Sequence, residues 1–396
     1  MSKSVRIGDV CEILNGYAFK SNQYVSTGIR VIRITNVQKG FIEDADPQYY
    51  PESEQKEIEK YMLYEGDLLM SLTGNVGRVA MLGGDMLPAA LNQRVACLRI
   101  KDSAVIHKPF LFHLLNSDFF ESRCIFASKG IAQKNMSSEW LKEYKIPLFS
   151  MEKQREIAVI FDKINAIISS RKEQLRSLDQ AVKSRFIELF GDPILNPYGW
   201  ATRPLLEMGY CKNGMNFHTG DNGVEMHCLG VGDFKDYTVI DGTNHLPIIS
   251  LNEVPPEESM LQDGDIVFVR SNGNKALVGR CLVVYPHSTP TTYSGFCIRY
   301  RLTSDEVDTI YLLRVLKTDS MRKKMVGRGA NIQNLNQQIL ATLDIPTPPM
   351  GLQKQFAAFV AQTDKSKYYS QKFLTLCRSA VKIYEQEWMK CQTLNF

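Results

Sequence analysis

Met151-Glu-Lys-Gln-Arg-Glu-Ile157-Ala-Val-Ile-Phe161-Asp-Lys-Ile164-Asn-Ala-Ile-Ile168 opens a run that continues through Leu175, Leu178, Val182 and Phe186 to Leu189-Phe190 without a proline or a glycine. The apolar positions alternate four and three apart, the spacing of a heptad seam, with Arg171 and Arg185 as polar breaks. Ser150 is suited to cap the start, and Gly191-Asp192-Pro193 is a stop signal. A helix of about 39 residues would be about 58 Å long at a rise of about 1.5 Å per residue. No small domain buries a stripe of that length, so the natural partner is a second helix.

A second such run lies at 352–391. Phe356 and Val360 mark one end of its stripe; Leu374, Cys377, Val381, Tyr384 and Trp388 mark the other. Its middle, Gln362 to Lys367, is polar. The first helix leaves one folded region and enters the next, and the second leaves that region and runs to the C-terminus. Helices so connected pack antiparallel, as a rigid spacer with one domain at each end.

The flanking regions repeat each other at an interval of about two hundred residues, a duplication read before any fold is assigned. Gly130 to Met136 matches Gly329 to Leu335, and from there Leu141, Ile146-Pro147, Gln154 and Ala158 match Leu340, Ile345-Pro346, Gln353 and Ala357 without a gap. Upstream, Gly66-Asp67 matches Gly264-Asp265, and Gly77-Arg78 matches Gly279-Arg280. Strands are expected at Val31–Val37, Asp67–Leu72, Arg78–Leu82 and Val95–Ile100, then at Asp265–Val269, Arg280–Val284 and Cys297–Leu302. Helical pairs follow at Pro109–Leu115 with Asp118–Ala127, and at Tyr311–Leu316 with Ser320–Val326. The fold class is therefore α+β: two repeated mixed domains, 1–149 and 192–349, separated by an antiparallel two-helix coiled coil made of 150–191 and 350–396.

Little in the remaining sequence suggests chemistry. There is no phosphate-binding loop and no nucleophile elbow. Nine scattered cysteines without a C-x-x-C pair fit reduced thiols, and six histidines form no zinc pattern. No cofactor and no metal are expected. Asn196-Pro197-Tyr198 lacks the second proline of an adenine methyltransferase signature and reads as linker. Glu43, Asp44 and Asp46 read as a solvated loop. No stretch approaches the roughly 18 apolar residues of a membrane span, and the N-terminus has no signal-peptide core, so the expectation is a cytoplasmic protein. The net charge of +4 is too mild to argue for a partner.

What recurs in both copies is a pair of loops rich in amides, hydroxyls and bases. The first holds Ser71, Thr73, Gly74, Asn75 and Arg78, matched by Arg270, Ser271, Asn272, Asn274, Lys275 and Arg280. The second holds Lys129, Gln133, Lys134 and Asn135, matched by Arg328, Asn331, Gln333 and Asn334. Arginine can meet guanine in bidentate fashion, asparagine or glutamine can do so with adenine, and glycine permits close backbone approach. These are the candidate DNA-binding residues. Ile157, Phe161, Ile164, Ile168, Leu175, Leu178, Val182, Phe186, Leu374, Val381, Tyr384 and Trp388 are the candidates for spacer packing and partner docking.

Two domains of this kind, each followed by a long helix, resemble the specificity subunits of type I restriction-modification systems. The resemblance is carried by Gly66-Asp67-Leu-Leu-Met-Ser71…Gly74…Gly77-Arg78, by Asn92-Gln93, by Ile146-Pro147…Gln154, and by Leu178-Asp-Gln-Ala-Val-Lys-Ser-Arg-Phe186…Phe190-Gly191-Asp192-Pro193. It covers essentially the whole chain, and it adds Asn92 and Gln93 to the candidate DNA-binding set. It implies a non-catalytic subunit that reads a bipartite site on double-stranded DNA, one half per domain. It also implies docking of two adenine-methylating modification subunits that use S-adenosylmethionine, and allows motor-nuclease subunits as further partners. Three other readings stay open: the corresponding subunit of a related methylation system, a scaffold that binds only protein, and an enzyme with drifted motifs.

Overall fold

A computed structural model describes residues 3–128, 135–217, 220, 222–235, 237–326 and 334–393; of Lys3 and of 387–393 it describes the backbone only. The chain divides into two compact units, Met1–Lys172 with Gln371–Phe396, and Glu173–Ser370.

In the first unit the chain forms β1 (Lys3–Arg6), α1 (Ile7–Val10), β2 (Cys11–Asn15), β3 (Ile29–Ile32), β4 (Tyr49–Tyr50), β5 (Met62–Leu63), β6 (Leu68–Ser71), β7 (Val79–Met81), β8 (Ala89–Leu91) and β9 (Val95–Ile100). Then come α2 (Lys108–Leu115), α3 (Asp118–Ala127), α4 (Ser138–Glu143), β10 (Lys145–Leu148) and the long α5 (Met151–Phe190). One sheet has the order β2-β9-β6-β7 and a second β4-β3-β8-β5, while β1 and β10 form an antiparallel pair that closes the domain.

The second unit repeats this plan. Its strands are β11 (Thr202–Pro204), β12 (Gly209–Asn213), β13 (Val224–Leu229), β14 (Val239–Asp241), β15 (Ile248–Leu251), β16 (Asp265–Val269), β17 (Cys281–Tyr285), β18 (Thr291–Tyr293), β19 (Cys297–Leu302) and β20 (Asp344–Pro346). Its helices are α6 (Thr309–Leu316), α7 (Asp319–Val326), α8 (Gln337–Ala341) and the long α9 (Met350–Thr393). The main sheet reads β12-β19-β16-β17 in the same order, with β14 added in parallel beside β17. The second sheet keeps the parallel pair, β13 with β18 as β3 with β8. The duplication expected from spaced motifs is thus a duplication of topology.

One strand ends earlier than expected. Val31–Val37 is strand only to Ile32, because buried Asn36 turns the chain: its Oδ1 accepts from the Arg33 amide at 2.9 Å and its Nδ2 donates to the Glu43 carbonyl at 2.8 Å. The acidic loop beyond it is not simply solvated. Asp44 pairs with Arg30, and Asp46 with Arg33 at 3.0 Å.

The long helices follow the seam. Ser150 caps α5, its Oγ accepting from the Lys153 amide at 3.3 Å, and Gly191 ends the helix at φ 73°, a value glycine takes without cost. Within the first unit Phe161 meets Tyr384, ring centroids 6.0 Å apart, and the Arg171 guanidinium lies 5.3 Å from the Phe373 ring centroid. Within the second unit Gln174 meets Ser370, Lys367 pairs with Asp179 at 2.7 Å, and Phe186 packs on Phe356. In each unit the numbers rise along one helix as they fall along the other, so the pairing there is antiparallel. The polar middle of α9 does not interrupt its seam. Gln353, Phe356, Val360, Thr363, Lys367, Ser370, Leu374, Cys377, Val381 and Tyr384 form one heptad line, all buried or half-buried.

Gln154 and Gln353, matched in the repeat, are both fully buried. The Gln154 Oε1 accepts from the His107 amide at 2.8 Å, and its Nε2 donates to the carbonyls of Val105 at 3.0 Å and Phe149 at 2.9 Å. Gln353 does the same with the Asp308 amide and the carbonyls of Glu306 and Pro348. Each glutamine ties the start of a long helix to the loop before a domain helix. Truncating either to alanine strands three backbone groups and is expected to cost about 2 kcal/mol. Denaturant titration of the Gln353→Ala chain checks this; a loss under about 0.5 kcal/mol would show the loops satisfied by water instead.

Candidate nucleic-acid interface

In each unit four separate segments are laced together by main-chain hydrogen bonds. In the first, the Tyr17 amide donates to Leu91 O at 2.8 Å and the Gln93 amide to Tyr17 O at 2.9 Å. The Leu72 amide donates to Arg94 O at 3.0 Å, and the Met136 amide to Leu72 O at 2.8 Å. In the second, the Met215 amide donates to Tyr293 O at 3.1 Å and the Gly295 amide to Met215 O at 2.6 Å. The Arg270 amide donates to Phe296 O at 2.8 Å, and the Leu335 amide to Arg270 O at 2.7 Å. The bonds correspond one for one. Thr73 bridges to Asn135, and Ser271 to Asn334, at the same place in each unit. The two candidate loops, about sixty residues apart in sequence, therefore meet at one end of each domain.

The lacing requires glycine beside it. A Cβ on Gly16 would lie 2.2 Å from the Asn92 carbonyl carbon, and one on Gly214 would lie 2.1 Å from the Ser294 carbonyl oxygen. Asn92 therefore does have a counterpart in the second unit, Ser294, which residue identity conceals and backbone bonding reveals.

Side chains at these ends divide by what they already do. Ser71 is buried, its Oγ accepting from the Arg78 amide at 3.0 Å and its hydroxyl donating to the Asn75 carbonyl, so it closes the tip. The Asn272 Oδ1 accepts from the Asn274 amide at 2.8 Å and the Asn274 Oδ1 from the Ala276 amide at 3.0 Å, shaping the longer second tip. Arg78 donates to the Gln38 side chain, and Arg280 to the Phe234 carbonyl at 3.5 Å. The Asn92 Oδ1 accepts from the Arg94 amide at 3.2 Å. Gly74, Asn75, Gln93, Lys275, Asn135 and Asn334 are exposed, while Thr73, Arg270 and Ser271 are half-buried. Lys129, Gln133, Lys134, Arg328, Asn331 and Gln333 lie outside the described residues.

Two residues that sequence reading passed over stand at the same lacing point, Arg94 and Phe296. Arg94 is exposed, and Phe296 is 60% exposed despite being aromatic. The sequence offered only a phenylalanine directly after Ser294-Gly295, a turn-forming pair. Identical backbones thus carry different groups outward: an amide and a guanidinium at Gln93-Arg94, a glycine and a ring at Gly295-Phe296.

The spacer candidates lie inward. Ile157 and Phe161 belong to the core of the first unit, Val182 and Phe186 to that of the second, and Leu374 is buried. Ile164, Ile168, Leu175, Leu178, Val381 and Tyr384 are half-buried, and the Trp388 side chain lies outside the described residues. What the long helices leave outward is a different set: Val159, Ile167, Phe373, Leu376 and Ile383 in the first unit, Ile187, Tyr368 and Tyr369 in the second, each at least 40% exposed. Asn196, in the segment that lacks a methyltransferase signature, has φ 44° and exchanges two hydrogen bonds with the backbone of Trp200, a turn. Among the described residues no group of three or more His, Cys, Asp or Glu side chains is placed to hold a metal ion.

Comparison with known proteins agrees with this duplication. The family model described as "Type I restriction modification DNA specificity domain" matches residues 2–180 and 230–372. The StySPI specificity subunit of a type I restriction enzyme from Salmonella potsdam is 24% identical over 380 residues, covering 90% of this chain and 80% of that protein. The EcoKI specificity subunit from Escherichia coli K12 is 22% identical, covering 81% of this chain and 72% of that protein. Among solved structures, the type I restriction-modification S subunit from M. genitalium superposes with a TM-score of 0.59 at 14% identity, covering 99% of this chain and 96% of the other. A chain from work on complex assembly and conformational transition of the type I R-M system gives 0.57 at 18% identity, covering 98% and 96%.

Proposed function

We propose, since this chain belongs to the type I restriction modification DNA specificity domain family, that it reads a bipartite site on double-stranded DNA. Its named relatives are specificity subunits, components that recognise DNA rather than catalyse. Residues 1–149 would read one half-site and 192–349 the other, each through the laced end described above. The helices at 150–191 and 350–396 would fix the gap and dock two adenine-methylating modification subunits, with motor-nuclease subunits joining for cleavage. Outward apolar residues such as Leu376, Ile383, Tyr368 and Tyr369 are added to the docking candidates, because the described seam residues are already buried or half-buried within the chain.

The observation that carries this reading is the recurrence of one hydrogen-bonded lacing at both ends with different side chains on it. A shared scaffold with variable tips is what two related but distinct half-sites require. Half-sites about 34 Å apart would place both on one face of the duplex.

Methylome sequencing of a host expressing this chain with its modification subunit tests the proposal. The expected result is one new adenine-methylated motif, two short halves around a fixed unspecified gap. Exchange of residues 1–149 for those of a relative should change one half and leave the other and the gap intact. Co-purification of the subunits without any motif would favour the protein-only scaffold.

A further inference from the structure

The two units differ in charge at the base of the first loop. In the second unit a cavity of about 250 Å³ is lined by Lys235, Arg280, Lys317 and Arg322, with Phe234 and Tyr237 beside them. No carboxylate among the described residues lines it. Arg280 immediately follows the tip. Arg322 holds the tip from below, its Nη2 donating to the carbonyls of Ala276 at 3.1 Å and Val278 at 3.3 Å while its buried Nε has no hydrogen-bond partner among the described residues. Lys317, at the C-terminal end of α6, donates to the Thr238 hydroxyl at 3.2 Å and the Cys281 carbonyl at 3.3 Å. Burial holds the Lys317 ammonium below its ordinary range, and Arg314, Arg280 and Arg322 add to this against an opposing contribution from Cys281.

The first unit reverses the sign. There Asn116 ends α2 where Lys317 ends α6, and Glu121 occupies the place in α3 that Arg322 has in α7. Lys39 closes that acidic site by pairing with Asp118 at 2.6 Å and Glu121 at 2.7 Å. Among the described residues the first unit therefore neutralises its own charge at this place, and the second gathers like charges around an open space. Four cations so placed repel one another, and a bound anion removes that cost. The volume suits a phosphoryl group with several waters at about 30 Å³ each.

We propose that this cavity is a phosphate-binding site of the second unit alone, one that takes a phosphodiester of the DNA backbone beside the reading tip. The source of the phosphate rests on the proposed function; the anion chemistry does not. A phosphate gripped here would set the height and register of the 270–280 loop on the duplex, positioning without reading sequence. Among the described residues the first unit has no equivalent cluster of cations at this place, so this anchoring is asymmetric between the half-sites.

The test uses the Lys235→Gln/Lys317→Gln chain, with Lys235→Gln alone as a second variant. Glutamine keeps a polar donor near the Thr238 hydroxyl and the Cys281 carbonyl on a side chain one bond shorter, and Lys235 is exposed, so both variants are expected to fold. Inorganic phosphate should raise the melting midpoint of the purified wild-type chain above that in sodium chloride of equal ionic strength, by about 2 °C or more, and should leave the double variant unmoved. In the assembled methylating complex, the double variant should lower the slope of log affinity against log salt by about one while the methylated motif stays the same. Phosphate stabilisation with an unchanged slope identifies a free small anion as the ligand and removes the DNA backbone from the proposal. No stabilisation together with an unchanged slope overturns it. Absence of any methylated motif from the wild-type complex counts against the proposed function and leaves the phosphate measurement on the chain standing.

Discussion

Asp265→Ala is expected to destabilise the second domain by about 3–5 kcal/mol, the cost of removing one partner from a buried charge cluster. Asp265 is 1% exposed. Its Oδ1 and Oδ2 accept from the Nε and Nη2 of Arg301, both at 2.8 Å, and Oδ2 also accepts from the Gln262 amide at 2.7 Å. Beyond Arg301 stands Arg299, 0% exposed, with its Nη1 at 3.9 Å from the same carboxylate and its Nε and Nη1 without hydrogen-bond partners among the described residues. One buried carboxylate therefore serves two guanidinium groups, and alanine takes it from both, leaving Arg299 the Glu258 carbonyl and the Tyr210 ring and Arg301 the Met260 carbonyl. The first domain repeats the motif at lower charge. Asp67 pairs with Arg99 at 3.0 and 2.6 Å, Arg99 is 29% exposed, and buried Cys97 takes the place of Arg299. Asp67→Ala should cost about 2 kcal/mol, nearer a partly solvated pair. Site-resolved hydrogen exchange checks both. Amides of β16 and β19 should lose protection in the first variant and those of β6 and β9 in the second. Equal losses in the two variants would mean that Arg299 adds nothing.

This pair also shows why the sequence was legible where it was. Gly66-Asp67 and Gly264-Asp265 repeat because each aspartate holds its turn as well as an arginine, through the Tyr64 amide at 2.9 Å in one copy and the Gln262 amide in the other. Gln154 and Gln353 repeat because each buried amide satisfies three backbone groups. Matched residues were framework, and framework is recoverable from spacing. The seam of α5 was visible because its positions are apolar. The middle of α9 was not, since Thr363, Lys367 and Ser370 keep the seam without hydrophobicity: the Thr363 hydroxyl bonds back to the Phe359 carbonyl, and Lys367 reaches Asp179 and Asp364. Periodicity measures only the hydrophobic part of a seam.

Strands paired across long sequence distances were the harder part. β2 sits against β9 with Cys11 opposite Ile100, and β12 against β19 with Gly209 opposite Leu302, and neither Cys11–Asn15 nor Gly209–Asn213 alternates cleanly. Their strand character comes from the neighbour. The candidate site shows the same limit. Loop composition marked Thr73 and Asn135 separately, and only the tertiary bridge between them makes one surface. Composition also does not separate two tasks: Ser71, Asn272 and Asn274 shape their turns, and base reading uses the same short polar side chains. Arg94 and Phe296 were missed because they do not match each other, and a difference at equivalent positions is what two distinct reading surfaces would need.

Specificity should accordingly be lost from one half-site at a time. Gln93→Ala with Asn135→Ala removes two exposed amides of the first end while leaving Ser71 and the backbone lacing untouched. Each base-edge contact contributes about 1–3 kcal/mol of discrimination, so the pair should relax preference in one half by about 30-fold or more. The other half and the gap should be unaffected. Arg94→Ala should act on the same half if the guanidinium reads a base. If it grips phosphate, affinity should fall uniformly across sequences and the salt slope should drop by about one. In the second unit, Phe296→Ala probes an apolar contact such as a thymine methyl, and its effect should be confined to the opposite half. The readout is the methylated fraction at every near-match site in a host genome, compared between variants. Relaxation spread equally over both halves would mean that the laced ends act on complex assembly or overall affinity, and that sequence is read elsewhere on the chain.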